Sequence, residues 1–243
     1  MRIDAKGLHY RDLNNQIRQA IANGEKEIIL DNVNGQRYIG AGVKSKTNIK
    51  INGVPGNDLA AFMDGPEITV KSNGQDGIGN TMNSGKVTVH GDAGDILGYG
   101  MRGGSIFIRG NVGYRVGIHM KSYKNSYPVV IAGGRAGDFL GEYMAGGLLI
   151  VLGLENNGEK ITGNYVGTGM HGGIIYIRGE VEDYQLGKEV GIGKIGKGDV
   201  QVLSKYLGEY ARDFDLSLED VMSGDFLKLT PRSSRPYGEI YAY

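Results

Sequence analysis

Gly98, Gly100 and Gly103 stand in "GDILGYGMRGGSIFIRG" (residues 94–110) at the spacing G-x-G-x-x-G, which in another setting cradles a pyrophosphate. That chemistry needs glycines that follow a strand and open a helix, so that backbone N–H groups and the helix dipole meet the phosphates. Here they run into "SIFIRG", which alternates β-forming residues and has no helical apolar face. The spacing recurs at Gly167, Gly169 and Gly172 and at Gly191, Gly193 and Gly196. With 43 glycines in 243 residues, three matches point to a glycine-rich repeat rather than to nucleotide binding.

The other reactive side chains are scattered. His9 precedes the first helical pattern, His90 ends a strand pattern, and His119 and His171 flank methionines; none is at metal-ligand spacing from another. Only His119 and His171 could approach across repeats. Asp92 and Asp95 pair carboxylates within turn sequence, and no serine or threonine stands in a nucleophile-elbow context. The sequence therefore assigns no catalytic, no cofactor-binding and no metal-ligating residue. There is no cysteine, which excludes a thiol nucleophile, a disulfide, a zinc–cysteine site and cysteine ligation of an iron–sulfur cluster on this chain.

What the glycines position is a repeat. Met63, Met82, Met101 and Met120 are 19 residues apart, and after two insertions the phase returns at Met144 and Met170. Four residues before each methionine is an aliphatic: Leu59, Ile78, Leu97, Val116, Leu140, Val166. Three before is a small residue: Ala60, Gly79, Gly98, Gly117, Gly141, Gly167. A degenerate first copy, "GQRYIGAGV", places Ile39, Gly40 and Val43 in these positions. Each copy runs into a strand, expected to start at Leu30, Ile49, Ile68, Val87, Ile106, Val129, Leu149 and Ile175.

A period of 19 is too short for a helix pair or a propeller blade and suits one coil of a parallel β-helix. The expected fold is all-β: a single-stranded right-handed parallel β-helix of about eight coils with helical caps at both ends, the hand following from the crossover rule. A left-handed hexapeptide helix lacks its six-residue sub-period here. Stacked aliphatics and methionines become interior columns, and stacked small residues mark tight turns. A polar column, Asn57, Asp76, Asp95, Tyr114, Asp138 and Asn164, lies six residues before the methionines. Asn and Asp favour turns by bonding nearby backbone, and that reading is preferred to a cation held between Asp76 and Asp95.

"KSYKNSYP" (121–128) and "GLENNGEKITG" (153–163) interrupt the period and should leave the rod as flank loops. The expected organisation is an N-terminal helical cap (1–27), the β-helix (28–181), and a C-terminal helical cap with an extended tail (182–243). "YRDLNNQIRQAIANG" puts Leu13, Ile17, Ala20 and Ile21 on one face and ends at Gly24. "DVQVLSKYLGEYARDF" has Asp199 as a candidate N-cap and Leu203, Tyr206, Leu207 and Tyr210 on one face, and "LSLEDVM" starts a second helix at Ser217. The tail "PRSSRPYGEIYAY", with Arg232 and Arg235, could fold back or reach a partner.

Lysine plus arginine equals aspartate plus glutamate at 27 each, which removes the footprint of a nucleic-acid or anionic-membrane binder. No apolar run reaches membrane-span length and no apolar signal core follows Met1, so the expected location is cytoplasmic.

The succession "NGQRYIGAGV", "GDAGDILGYGMRGGSIFIRG", "GRAGDFLGEYMAGGLLIVLG" and "GNYVGTGMHGGIIYIRGE" resembles the GXGXG-repeat domain that ends the large (alpha) subunit of glutamate synthase, over about residues 8 to 180. The ending "FLKLTPRSSRPYGEIYAY" is similar to that of the separately encoded, archaeal-type version. The resemblance implies a non-catalytic scaffold in glutamate biosynthesis that holds a glutamine amidotransferase part and an FMN-binding synthase part together. It also implies that FMN and an iron–sulfur cluster reside on those partner chains, since the family's nucleophile and cluster ligands are cysteines. The same repeat occurs in a scaffold chain of formylmethanofuran dehydrogenase, which is the alternative assignment; the first helix, the "NGQRYIGAGV" opening and the tail favour glutamate synthase.

Overall fold

Strand after strand is laid down in the same register, one coil apart. The computed structural model describes residues 1–123, 126–156 and 158–233. Its strands are β1 (Arg2–Asp4), β2 (Glu27–Asn34), β3 (Asn48–Val54), β4 (Asp64–Val70), β5 (Ser84–Val89), β6 (Ser105–Ile108), β7 (Val129–Ala132), β8 (Ala145–Val151), β9 (Gly172–Arg178), β10 (Val190–Gly193) and β11 (Phe226–Pro231). The helices are α1 (Tyr10–Ala22), α2 (Lys197–Asp213) and α3 (Leu218–Met222). β1 to β9 pair in parallel in chain order, and the sheet ends β9-β11-β10 with antiparallel pairing.

The register proves the repeat. Ile49, Ile68, Val87, Ile106, Val130, Leu149 and Ile175 are successive Cα partners, and all are buried. Two expected strand starts are corrected by this alignment. Ile28, not Leu30, pairs with Ile49, and Val130, not Val129, pairs with Ile106. In both places neighbouring residues are also apolar, so hydropathy alone could not choose between them. The full repeat marks six turns, those carrying the six in-phase methionines, fewer than the eight expected; the first winding lacks a methionine, although Tyr38, Gly40 and Gly42 give it the same left-handed corner.

Each of these methionines has no exposed surface, and Leu59, Ile78, Leu97, Val116, Leu140 and Val166 are buried beside them. The small residue between takes a left-handed backbone, for example +70° in Gly79 and +69° in Gly98. It also points inward. A Cβ on Gly79 would lie 2.3 Å from Ile106 Cδ1 on the strand of the following coil, so both the backbone and the space demand glycine there. Flanking it at two-residue spacing are further left-handed residues, giving the triplets Ile96, Gly98, Gly100 and Arg115, Gly117, His119 in adjacent coils.

This alternation turns the corner and ties coils together. Tyr99 N donates to Ile96 O and Met101 N to Gly98 O within the coil (3.2 and 3.1 Å). Ile96 N and Gly100 N donate onward to Tyr114 O and Ile118 O (2.8 and 2.9 Å), whereas Gly98 N donates back to Ile78 O (2.8 Å). Backbone donors thus point alternately up and down the stack, as in a strand, although the chain is bending sharply.

The ends are closed as expected in kind. α1 buries Leu13, Ile17 and Ala20 against the first coils and stops at Asn23 and Gly24. At the other end β11 covers the open edge of β9, which is what an exposed strand edge needs. α2 does something the amphipathic pattern did not reveal: it lies across the outer face of the sheet. Leu203, Leu207, Tyr210, Ala211 and Phe214 join Phe107, Val129, Ile131, Leu148, Ile150 and Tyr176 in a second core. Two glycine exchanges separate backbone from packing at the corner. Gly79→Ala should cost about 2–4 kcal/mol, from the left-handed backbone and from overpacking against Ile106. Gly100→Ala, where the nearest atom is 3.6 Å away, should cost only about 1 kcal/mol, both read by urea unfolding.

Candidate functional site

The three glycine spacings fall in two different settings. Gly98 and Gly100, and likewise Gly167 and Gly169, are left-handed corner residues that lead into β6 and β9; the amides of the first three bond carbonyls of adjacent coils, and Gly169 N donates to Glu189 Oε2 at 3.0 Å. The third match corrects the repeat reading: Gly191 and Gly193 are on β10, and Gly196 is the N-cap of α2. A strand followed by a helix is the setting a phosphate fingerprint needs, but β10 pairs antiparallel with β11, and a carboxylate already fills the helix start.

That carboxylate is Asp199, which is the third residue of α2 and not its N-cap. It accepts from Gly196 N (2.7 Å), from the Tyr176 hydroxyl (2.5 Å) and from Lys228 Nζ (2.7 Å), joining α2, β9 and β11. The Lys228 ammonium first, then the two other donors, hold its pKa at about 2 against an ordinary 3.8. Burial, reinforced by the adjacent carboxylate, pushes the Tyr176 phenol well above its usual range. Burial first of all raises Tyr210, whose hydroxyl donates to Ile108 O at 3.2 Å. These groups clamp elements together; their charges are satisfied and turned inward.

The histidines stay apart. His9 caps α1, accepting from Arg11 N at 3.4 Å. His90 meets Lys71 Nζ at 3.1 Å and the edge of Phe214; burial, then the lysine, lowers its pKa. His119 stacks on Tyr143 (centroids 5.4 Å, 11° between planes), while His171 bonds to Gly169 O at 3.2 Å, one column over and two coils on. The approach of His119 to His171 that the repeat allowed is not realised, because one precedes its methionine and the other follows it.

The polar column is a backbone device. Asn57, Asp76, Asp95 and Asp138 each accept from the amide of the equivalent residue one coil on, at 3.4, 2.9, 2.8 and 2.7 Å. A second column of the same kind, Asn73, Asp92 and Asn111, accepts from Asp92, Asn111 and Arg135 amides at 3.0, 2.7 and 2.9 Å. It has a sequence signal, since Asn73, Asp92 and Asn111 stand one period of 19 apart. Except at Asp76, which follows Gln75, the residue before each donor is a glycine that leaves room for the acceptor oxygen: a Cβ on Gly94 would lie 2.0 Å from Asp76 Oδ1. Among the described residues no group of three or more His, Asp and Glu is placed to hold a metal ion.

What the sequence did not announce is the outside of the corner. The left-handed positions flanking the inward glycine are often not glycine: Phe62, Ile96, Arg115, His119, Phe139, Tyr143 and Tyr165 all have φ between +51° and +62°. Such a conformation costs bulky residues about 1–2 kcal/mol each. Phe62 and Tyr165 remain more than half exposed. Tyr99, His119 and Tyr143 form one row of rings, and Phe139 stacks on Tyr165 (4.9 Å) with the Arg115 guanidinium over its face (4.9 Å). These aromatic and arginine side chains, of types favoured at protein interfaces, are held on the outside of the corner. The signal was available: large residues standing where the repeat elsewhere places glycine.

Comparison with known proteins adds three findings. The GXGXG motif family matches residues 10–231. Uncharacterized protein MJ1350 of Methanocaldococcus jannaschii is 47% identical over 249 residues, covering 98% of this chain and 95% of that one. A chain of the formyltransferase/hydrolase complex (FhcABCD) from Methylorubrum extorquens, solved in complex with methylofuran, superposes with a TM-score of 0.64 at 21% identity, over 84% of this chain and 72% of that chain. That last likeness is one of fold. No helix among the described residues is long and apolar enough to cross a membrane.

Two substitutions check these roles. Asp199 has a depressed folded-state pKa, so its contribution is complete above about pH 4 and is lost as pH falls towards 2. Asp199→Asn should therefore destabilise by about 1–2 kcal/mol at pH 7, with the gap to wild type closing by about pH 2. Ile96→Gly should leave stability unchanged or raise it by up to about 1 kcal/mol in thermal unfolding, because it relieves a β-branched residue of a left-handed backbone.

Proposed function

As the chain belongs to the GXGXG motif family, we propose that it is a non-catalytic scaffold subunit of a multi-chain enzyme. The observation that carries this reading is the outward row of aromatic and arginine side chains on left-handed backbone at the corner of successive coils. Phe62, Arg115, His119 and Tyr165 stay exposed despite that strain, and covering them with a partner would offset it. The interior supports the same reading, being filled with aliphatic and methionine columns that leave no space for a substrate. A thiol nucleophile or a cysteine-ligated cluster would then sit on partner chains, since this one contributes no cysteine.

Two parent assemblies are open to such a subunit. The fold likeness to a chain of a formyltransferase/hydrolase complex supports a place in one-carbon chemistry of the formylmethanofuran kind, and the comparisons lend this more weight. The "NGQRYIGAGV" opening and the first helix, which lies as a cap on the first coils, favour glutamate synthase, with FMN and an iron–sulfur cluster on its synthase partner and glutamine hydrolysis on an amidotransferase partner. The tail that also favours it lies, from residue 234 on, outside the described residues.

Affinity capture of the full-length tagged chain under native conditions, with mass spectrometry of the co-purifying proteins, tests both. Formyltransferase and hydrolase chains, or amidotransferase and flavoprotein chains, should co-purify, identifying the parent. Tyr99→Ala with Tyr143→Ala should lower recovery at least tenfold while the circular-dichroism spectrum stays unchanged. Turnover of glutamine or of a formyl carrier by the isolated chain would reject the scaffold reading.

A further inference from the structure

The insertion 153–163 lies beside a recess that the proposed scaffold role does not use. Arg109, which follows β6, and Arg135, which follows β7, line it together with Asp92, Asn111 and the bare backbone of Gly133 and Gly134. Its volume is about 240 Å³. Both arginines come from the rigid coils: Arg109 N donates to Val89 O (2.9 Å) and Arg135 N to Asn111 Oδ1 (2.9 Å). Their guanidinium groups meet two carboxylates from the insertion, Glu155 on Arg109 (2.9 Å) and Glu159 on Arg135.

The two halves of these pairs are unequal. The Glu155 and Glu159 side chains are 77% and 61% exposed, while those of Arg109 and Arg135 are 28% and 40% exposed. The cations are set by the fold, whereas the anions reach in from solvent. An ion pair with so exposed a partner is worth little, so a free carboxylate competes readily for the guanidinium. Arginine presents a planar fork matched to carboxylate, and two forks facing one glycine-walled recess select a molecule carrying two such groups. The Asp92 carboxylate is engaged by Asn111 N (2.7 Å) and adds one negative charge to the rim, which disfavours compact, multiply charged anions over a dicarboxylate whose charges are separated.

We propose that Arg109 and Arg135 form a binding site for a small dicarboxylate, and that Glu155 and Glu159 occupy it as internal stand-ins when no ligand is present. The exchange replaces two carboxylates by two others, so the charge of the recess is unchanged on binding. The site stands apart from the aromatic corner, so its occupancy is independent of the scaffold reading.

Isothermal titration of the full chain with glutarate, acetate and inorganic phosphate at constant ionic strength tests this. The double variant Glu155→Gln, Glu159→Gln, changed only at exposed positions, removes the internal competitors. Glutarate should bind it at least tenfold more tightly than wild type, and acetate at least tenfold more weakly than glutarate. Arg135→Gln added to that variant should abolish binding, with an unchanged melting profile showing that the fold persists. Failure of glutarate to bind the glutamine variant, equal affinity for acetate, tighter binding of phosphate, or retention of glutarate binding after Arg135→Gln would each overturn the proposal. None of these outcomes bears on whether partner chains co-purify.

Discussion

Everything in this molecule depends on coils stacking in one fixed register. The strands alone would tolerate a shift of two residues, which keeps the same side chains inward and restores the hydrogen bonds. The corner removes that freedom. Left-handed residues at two-residue spacing send their amides alternately to the coil above and the coil below, and the inward glycine sits against the next strand's aliphatic side chain. A slip of one residue would drive a side chain into that contact. The Asn and Asp columns add a further lock, each side-chain oxygen bonding the amide of its own equivalent one coil on.

Much of this was legible because a solenoid writes its geometry as a period. The methionine phase located the interior, and the small residue three before it located the tight turn, since both requirements recur unchanged in every coil. What stayed hidden lacked a period or had two explanations. Leu30 and Val129 sit in runs where two residues fit the inward face equally well. The place of α2 needed a comparison between coils: "ITVK" and "VTVH" alternate, but "VVIA" and "LLIV" do not, and uninterrupted apolar strands are covered on both faces.

The candidate site shows the same division. Two of the glycine spacings fall on left-handed corner backbone, whereas the third joins a strand to a helix, with Asp199 at its start. The pairing with Tyr176 and Lys228 that holds Asp199 brings together residues far apart in sequence, and no local pattern announces it. The outward aromatics were present in the repeats as departures from glycine. Their meaning emerged only with the backbone angles, because a tyrosine or phenylalanine between glycines reads as ordinary until its left-handed conformation is known.

The outer helix makes the two halves of the rod unequal in their tolerance of an added or lost coil. From Asp199 beside β9 to Asp213 beside β5, α2 crosses the sheet, and its 17 residues span about 25 Å against about 19 Å for the four strand spacings beneath. It acts as a ruler. Duplicating or losing a whole winding between β2 and β5 changes only a water-facing surface, whereas the same event between β6 and β9 would mismatch helix and sheet and strand a row of aliphatics in solvent. A whole coil is thus tolerated more cheaply in the N-terminal half of this molecule than beneath the helix.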